Sequence, residues 1–177
     1  QGSYSTSIVL TSAADCTPTR PGSFSTAGSI RPTQCTAGTV APTVRLGACE
    51  QCMPGKYQDD GGATACKPCE SGSYCRAGAT TPTSCAPGTY SNSTNLKEEE
   101  ECIDCPNGTA CPMGASTPIP CAPGRYGSTE RQKTRECSGA CAKGHFCNAG
   151  STSSTSGICP AGTFNPVIGG QSQDACR

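Results

Sequence analysis

The chain has 177 residues; 17 of them are cysteines and none is tryptophan. Only 33% of the residues are apolar, so the chain lacks side chains for a sizeable core and needs covalent bridges or metals instead. Thirteen basic residues balance thirteen acidic ones, and no apolar run exceeds three residues. The composition therefore argues against a nucleic-acid partner and against membrane contact by this segment.

Five stretches along the chain share an opening cysteine, a glycine three residues later and, in four of them, an aromatic residue. They are CTAGTV (35–40), CMPGKY (52–57), CAPGTY (85–90), CAPGRY (121–126) and CPAGTF (159–164). Each leads into a polar loop of 13 to 16 residues that closes on Cys49, Cys66, Cys102, Cys137 or Cys176. We expect the glycine to adopt a turn conformation and the aromatic ring to pack on a neighbouring bridge.

A second, shorter element lies between the long loops. CESGSYC (69–75), CPNGTAC (105–111) and CAKGHFC (141–147) each hold five residues between two cysteines. Together the two elements form a unit of about 35 residues that recurs along the chain, which is the mark of a repeat protein.

The first residues, QGSYS (1–5), fit the same pattern, but their opening cysteine would lie two residues before Gln1. Cys16 is then a closing cysteine without a partner in this segment, which accounts for the odd number of cysteines. The predicted organisation is a truncated repeat (1–16), a repeat lacking the short-loop cysteines (16–49), a short repeat (49–66) and further repeats at 66–102, 102–137 and 137–177.

The repeat at 16–49 suggests how the cysteines pair. Aligned on the repeat at 66–102, it carries Thr19 and Ser25 where Cys69 and Cys75 stand. Both cysteines of the pair are absent from this repeat, whereas the flanking cysteines remain. This favours a disulfide between the two positions. The predicted bridges are therefore Cys35–Cys49, Cys52–Cys66, Cys69–Cys75, Cys85–Cys102, Cys105–Cys111, Cys121–Cys137, Cys141–Cys147 and Cys159–Cys176. A crossed scheme, such as Cys69–Cys85 with Cys75–Cys102, stays open.

Bridges of this kind can replace a core. In the chain-entropy model a loop of about 15 residues gains roughly 3 kcal/mol from closure. Two bridges per unit give on the order of 5 kcal/mol, similar to the net stability of a small domain. The predicted fold is a set of small disulfide-rich repeats with short β-hairpins and almost no helix, stacked into an elongated rod. Persistent disulfides also indicate an extracellular or cell-surface location.

Zinc offers a second interpretation of four cysteines. CEQC (49–52) and CKPC (66–69) have the spacing of a zinc ribbon. The repeat accounts for all the cysteines, however, and we expect neither a metal nor another cofactor. The single histidine, His145, falls where Tyr74 stands in the matching loop, and we expect an exposed turn residue rather than a catalytic base. No catalytic motif is present, so no enzyme is predicted.

Two sequons predict N-glycosylation, at Asn92 (Asn-Ser-Thr) and at Asn107 (Asn-Gly-Thr). Asn92 lies in a roomy loop, whereas Asn107 lies inside a five-residue ring. The glutamates at 98–101 predict a solvated face, with one helical turn capped by Asn95.

The CxPGxY motif, the long loop and the CxxCxxGxYC motif together resemble the ephrin-receptor-like cysteine-rich repeat. This family is similar in style to EGF-like and tumour-necrosis-factor-receptor modules. The resemblance covers nearly the whole chain and implies an extracellular tandem array without catalytic residues. Thr19, Ser25 and Ala110, which replaces the aromatic residue, depart from the pattern.

Two function classes follow. The first is an extracellular structural glycoprotein that builds a fibre, surface coat or matrix, with neighbouring copies or flanking repeats as partners and covalent glycans. The second is a receptor or adhesin ectodomain that binds a protein or glycan ligand. The second class favours an exposed aromatic or arginine cluster. Here the aromatic residues mostly occupy the motif position, so the structural class is preferred.

Overall fold

The computed structural model describes residues 1–7 and 9–177. Its secondary structure consists of two-residue strands and of three short 3-10 turns. The strands are β1 (Ser3–Tyr4), β2 (Thr17–Pro18), β3 (Ser23–Phe24), β4 (Thr33–Gln34), β5 (Thr39–Val40), β6 (Glu50–Gln51), β7 (Lys56–Tyr57), β8 (Lys67–Pro68), β9 (Ser73–Tyr74), β10 (Thr83–Ser84), β11 (Thr89–Tyr90), β12 (Ile103–Asp104), β13 (Thr109–Ala110), β14 (Ile119–Pro120), β15 (Arg125–Tyr126), β16 (Gly139–Ala140), β17 (His145–Phe146) and β18 (Gly157–Ile158). The 3-10 turns are Ala13–Asp15, Glu99–Glu101 and Gln173–Ala175.

Each odd-numbered strand pairs with the strand that follows it, β1 with β2, β3 with β4 and so on, which gives nine two-stranded sheets in the described residues. We number these hairpins 1 to 9 in chain order, so that hairpin 6 is β11 with β12 and hairpin 7 is β13 with β14. The pairing is antiparallel, as in hairpin 6, where Tyr90 lies opposite Ile103. The small disulfide-rich hairpin repeat expected from the sequence is therefore confirmed.

The repeated structural element is the single hairpin, so a unit of about 35 residues corresponds to two hairpins. Each hairpin opens on a turn glycine with positive φ, and successive turn glycines are 16 to 20 residues apart. The short-loop motif and the long-loop motif both form this hairpin: Gly72 and Gly88 have φ of 79° and 94°. The cysteine spacing alone predicts two different kinds of element, and the structure shows one.

The chain divides into two compact units. One comprises residues 1–70, 74–83 and 94–98, and the other comprises residues 71–73, 84–93 and 99–177. Strands β1 to β8 lie in the first unit, and strands β11 to β18 lie in the second.

Within the first unit, main-chain hydrogen bonds join each hairpin to the loop of the next, two of them from hairpin 1 and three from each later hairpin. In hairpin 3, Gly38 N–H donates to the Gln58 carbonyl at 2.7 Å, and Ala41 N–H donates to the Ala63 carbonyl at 3.0 Å. The Cys35 carbonyl accepts from Gly62 N–H at 2.8 Å. These bonds satisfy backbone groups that strands of two residues leave unpaired.

The second unit repeats the arrangement. In hairpin 6, Gly88 N–H donates to the Cys111 carbonyl at 2.8 Å and Ser91 N–H donates to the Ala115 carbonyl at 3.1 Å. The Cys85 carbonyl accepts from Gly114 N–H at 3.0 Å. Tyr90 packs against the cluster that Cys105, Cys111 and Ala115 form, as expected for a ring on a neighbouring bridge.

Cysteine dominates the interior. Ten of the sixteen buried apolar residues in the described chain are cysteines, and the other six are Val40, Ala41, Tyr74, Leu96, Ala110 and Ala115. The residues that the structure describes form no large hydrophobic core. Covalent bridges and main-chain hydrogen bonds therefore hold the hairpins in place.

Candidate functional site

The site common to hairpins 2 to 9 is built around the opening position, three residues before the turn glycine. The opening cysteines from Cys35 to Cys141 are almost completely buried, with exposed fractions of 0 to 2%. Each has its carbonyl bonded to the loop of the following hairpin and its sulfur in a bridge. One buried residue thus forms the disulfide of its own hairpin and the hydrogen bond to the next hairpin.

A cysteine at either of two places closes the bridge. In hairpin 5 the partner of Cys69 is Cys75, which directly follows the aromatic residue of the first strand. In hairpin 6 the partner of Cys85 is Cys102, which directly precedes the second strand. Because Tyr90 pairs with Ile103, these two places lie next to each other across the hairpin. The Cα–Cα distances are 6.0 and 5.9 Å, so both places suit a disulfide.

The eight bridges are the pairs that the same-loop scheme predicts, and none of the crossed pairs is formed. The cysteines of the zinc-ribbon interpretation are all bridged: Cys49 to Cys35, Cys52 to Cys66 and Cys69 to Cys75. None of them offers a thiolate, the form that binds zinc.

Hairpin 2 lacks a disulfide and has a hydrogen bond in its place. The Thr19 hydroxyl donates to the Ser25 hydroxyl at 2.8 Å. Both side chains are buried, with exposed fractions of 0% and 1%. Since they occupy the positions of Cys69 and Cys75, the hydrogen bond spans the gap that a bridge closes in hairpin 5.

Cys16 is the one free cysteine in the described chain, and it is half-buried. It directly follows the first 3-10 turn, and its N–H donates to the Ala13 carbonyl at 3.3 Å. A capping box precedes it: Ala14 N–H donates to the Ser12 hydroxyl, and Ser12 N–H donates to the Asp15 carboxylate. Donors from Ser12 and then Thr11 hold the pKa of Asp15 below its ordinary value.

Both predicted glycosylation sites are on the surface, and their occupancy stays a prediction. Asn92 is exposed in the loop of hairpin 6, and Asn107 is exposed in the turn before β13. The sequon hydroxyl of Thr109 donates to the Pro106 carbonyl at 2.7 Å, so it is engaged within its own turn.

Several charged groups form exposed ion pairs. Lys67 donates to the carboxylates of Asp59 and Asp60. The hydrogen bond from Lys67 lowers the pKa of Asp59, and the bonds to Asp59 and Asp60 raise the pKa of Lys67. In the described residues, no group of three histidine, cysteine, aspartate or glutamate side chains is arranged to hold a metal.

The glutamate run forms a 3-10 turn at Glu99–Glu101, and Asn95 does not cap it. Asn95 instead adopts a left-handed conformation, with φ of 62°. Its N–H donates to the Cys69 carbonyl at 2.8 Å. The Asn95 N–H therefore binds the Cys69 carbonyl in the same way as the Gly114 N–H binds the Cys85 carbonyl. His145 is half-buried in β17, and its Nδ1 lies 3.0 Å from the Lys143 carbonyl.

The second left-handed position, which the cysteine pattern does not predict, is occupied by different residue types. Glycine occupies it in most hairpins, at Gly62, Gly78, Gly114, Gly150 and Gly169, and Arg45, Asn95 and Arg131 occupy it in the others. A spacing of three residues after Cys75, Cys111 and Cys147 marks three of these glycines. This glycine spacing could have indicated the left-handed position, but Arg45, Asn95 and Arg131 interrupt the pattern.

No helix in residues 1–7 and 9–177 combines the length and the apolar character that crossing a bilayer requires. Eight disulfides in a chain of this size are typical of secreted proteins and of other proteins in oxidising compartments. No protein-family model matches the chain, and no curated protein sequence matches it.

Proposed function

We propose that the chain is a segment of an extracellular structural glycoprotein, a disulfide-bridged repeat array that builds a fibre, surface coat or matrix. One observation carries this proposal: from hairpin 2 to hairpin 8, the same three main-chain hydrogen bonds join each hairpin to the next, whatever side chains the loops carry. The contacts are made by backbone atoms, so they suit repetition rather than the recognition of one particular partner.

Repeats that bind their neighbours through the same surface form arrays whose stability grows by nearest-neighbour terms. A head-to-tail interface of this kind, which does not close into a ring, leads to filaments. We therefore assign neighbouring copies or flanking repeats of the same protein as the partners. The ephrin-receptor-like repeat is the family we propose, because the opening cysteine, turn glycine and aromatic residue recur along the chain.

An extracellular or cell-surface location fits the bridges, because disulfides persist where the environment is oxidising. In that location Asn92 and Asn107 are candidates for covalent glycans. We expect enzymatic removal of N-glycans to convert Asn92 to aspartate more completely than Asn107, because the Thr109 hydroxyl is held within the turn. Peptide mass spectrometry of the natural protein measures both occupancies, and unmodified asparagine at both positions contradicts the glycoprotein assignment.

Electron microscopy of the native, unreduced protein from its source tests the proposal directly. Continuous filaments or a regular lattice, absent after reduction and alkylation, are the expected result. Separate particles of finite length instead favour a receptor or adhesin ectodomain, and a ligand search follows in that case.

A further inference from the structure

Asn107 and Gly108, in the turn before β13, form the only Asn-Gly pair in the chain, whereas every other asparagine precedes a residue with a side chain. Glycine has no Cβ atom, so its main-chain nitrogen is less shielded than that of any other residue. The side chain of the preceding asparagine can reach this nitrogen and react with it. In an unfolded chain, Asn107 is therefore the asparagine most prone to lose its side-chain amide.

The two residues of this pair differ in exposure and in bonding. Asn107 is exposed, whereas Gly108 is buried. The Gly108 N–H donates to the Gly127 carbonyl at 2.8 Å. A Cβ atom on Gly108 would lie 2.3 Å from the Gly150 carbonyl oxygen, so the backbone of the following hairpins covers this side of the turn. The exposed side-chain amide thus lies beside a nitrogen that is buried and already hydrogen-bonded.

The reaction between the two residues is intramolecular. A base in the solvent takes the proton of the Gly108 N–H, and the nitrogen forms a bond to Cγ of Asn107. The bond from Cγ to Nδ2 breaks, the leaving nitrogen takes up a proton, and ammonia departs. The product is a succinimide ring, in which the Gly108 nitrogen carries no proton. Water then opens the ring at either carbonyl, which gives aspartate or isoaspartate.

The hydrogen bond and the burial both oppose this reaction in the folded chain. The Gly127 carbonyl accepts the Gly108 N–H, so the proton is not available to a base in the solvent. Ring closure also removes one of the bonds that join hairpin 7 to hairpin 8. The Cys105–Cys111 bridge spans the turn and restrains it further. The reaction therefore requires hairpin 7 to open first, and local opening has a free-energy cost of its own.

We propose that Asn107 is a deamidation site controlled by hairpin 7: the asparagine is preserved while the Cys105–Cys111 bridge holds the hairpin and is lost once that bridge is reduced. Aspartate and isoaspartate both add a negative charge to the turn. Isoaspartate also adds a main-chain carbon atom inside the ring that this bridge closes. The turn then no longer presents the Gly108 N–H to the Gly127 carbonyl, so a reduced chain is marked irreversibly. This site does not depend on whether the chain forms filaments.

The test follows Asn107 by peptide mass spectrometry in the 177-residue chain, incubated in mildly alkaline buffer. The chain is made without glycans, because a glycan on Nδ2 changes the leaving group. With its bridges formed, the chain is expected to lose the Asn107 amide at least about tenfold more slowly than after reduction and alkylation, since hairpin 7 must open first. Asn148, which is also exposed but precedes Ala149, is the internal reference and reacts slowly in both forms.

Two double variants separate the bridge of hairpin 7 from the rest of the fold. C105A/C111A removes this bridge alone and is expected to speed up loss of the Asn107 amide at least about threefold in the otherwise bridged chain. C69A/C75A removes the corresponding bridge of hairpin 5 and is the matched control, which leaves the rate unchanged. Disulfide mapping verifies that each variant has formed its remaining bridges.

Hydrogen exchange measures the effect of deamidation on the turn. A chain that is reduced, incubated and then reoxidised is expected to show fast exchange at the Gly108 N–H, because the bond to Gly127 is lost. The variant Asn107→Gln, treated in the same way, keeps slow exchange, because glutamine forms the corresponding larger ring far more slowly.

Three outcomes overturn the proposal. The first is equal rates of amide loss from Asn107 in the bridged and in the reduced chain. The second is a C105A/C111A chain, with its other bridges formed, that loses the Asn107 amide no faster than C69A/C75A does. The third is slow exchange at Gly108 in the reoxidised chain after Asn107 has been converted to isoaspartate.

Discussion

Thr19 and Ser25 occupy the positions where other hairpins carry bridged cysteines, and their hydroxyls are hydrogen-bonded at 2.8 Å. We predict that T19C/S25C forms a ninth bridge, in the manner of Cys69–Cys75. A short loop gains about 2 kcal/mol from closure, and the lost hydrogen bond costs roughly 1 kcal/mol, so the expected net gain is about 1 kcal/mol. Thermal unfolding and a count of free thiols measure the result.

The single variant Thr19→Cys is the control for this experiment. It breaks the buried hydrogen bond without forming a bridge and should therefore lower stability by about 1–3 kcal/mol, because the Ser25 hydroxyl loses its partner. A double variant that keeps both new thiols reduced in oxidising buffer contradicts the assigned equivalence of the two hairpins.

Gly88 shows why the turn position requires glycine. It has φ of 94°, and a Cβ atom there would lie 2.6 Å from the Arg131 carbonyl oxygen. Gly162 has the same role in its motif and φ of 84°, but a Cβ atom would meet nothing within 4 Å. We predict that Gly162→Ala costs about 1–2 kcal/mol for the left-handed backbone alone. Gly88→Ala adds an overlap that costs about 1–3 kcal/mol more.

Chemical denaturation of the two alanine variants measures this difference in the free energy of unfolding. The glycines share a motif and a conformation, so the comparison isolates the contact with the Arg131 carbonyl. Equal destabilisation of the two variants contradicts a close backbone contact at Gly88.

At this scale the sequence predicted the cysteines and turn glycines because each is required by local chemistry. It did not predict the contact between Gly88 and the Arg131 carbonyl, because that contact joins residues 43 positions apart. It also did not predict the left-handed backbone of Arg131, since arginine rarely adopts this conformation. Contacts between distant backbone atoms do not require particular side chains at a regular spacing, so no sequence pattern predicts them.

At the scale of the hairpin, the two bridge positions are alternatives. Ser91 occupies in hairpin 6 the place that Cys75 occupies in hairpin 5, and it is 1% exposed. We predict that S91C/C102S replaces the Cys85–Cys102 bridge by a bridge from Cys85 to position 91, with the hairpin retained. The closed loop shortens from a separation of 17 residues to 6, so stability should fall by only about 1 kcal/mol.

Non-reducing peptide mapping detects the new bridge, and thermal unfolding measures its effect. The control is Cys102→Ser alone, which leaves Cys85 unpaired and should cost about 3 kcal/mol. If S91C/C102S loses as much stability as Cys102→Ser, the two positions are not interchangeable, and the long and short loops are different elements after all.

The equivalence of long and short loops could not be predicted from spacing alone. Cys69 and Cys75 are 6 residues apart, whereas Cys85 and Cys102 are 17 apart, so the two pairs resemble unrelated motifs. The antiparallel register, which places Tyr90 opposite Ile103, brings the two closing positions together. The two closing positions are far apart in sequence and become neighbours only when the hairpin forms.

At the scale of the whole molecule, the interior depends on the bridges. Among the residues that the structure describes, ten of the sixteen buried apolar ones are cysteines, so few apolar contacts remain once the bridges are reduced. Eight closures of these lengths contribute roughly 20 kcal/mol in the chain-entropy model. This exceeds the 5–15 kcal/mol that is the usual net stability of a domain. We therefore predict that reduction and alkylation unfold the whole chain, with loss of amide chemical-shift dispersion.

The oxidised chain is the reference, because it should show a cooperative thermal transition that the reduced chain lacks at every temperature.

Partial reduction tests in which order the bridges open, and whether the main-chain hydrogen bonds keep the chain folded once the first bridges are lost. The opening cysteines from Cys35 to Cys141 are buried, so a weak reductant reaches the half-buried closing sulfurs, such as that of Cys102, more readily than the buried pair Cys105–Cys111. We expect long-loop bridges to open before short-loop bridges, with unfolding following the first losses. A reduced chain that keeps its dispersed spectrum contradicts this account, because the backbone bonds between hairpins would then hold the fold without covalent help.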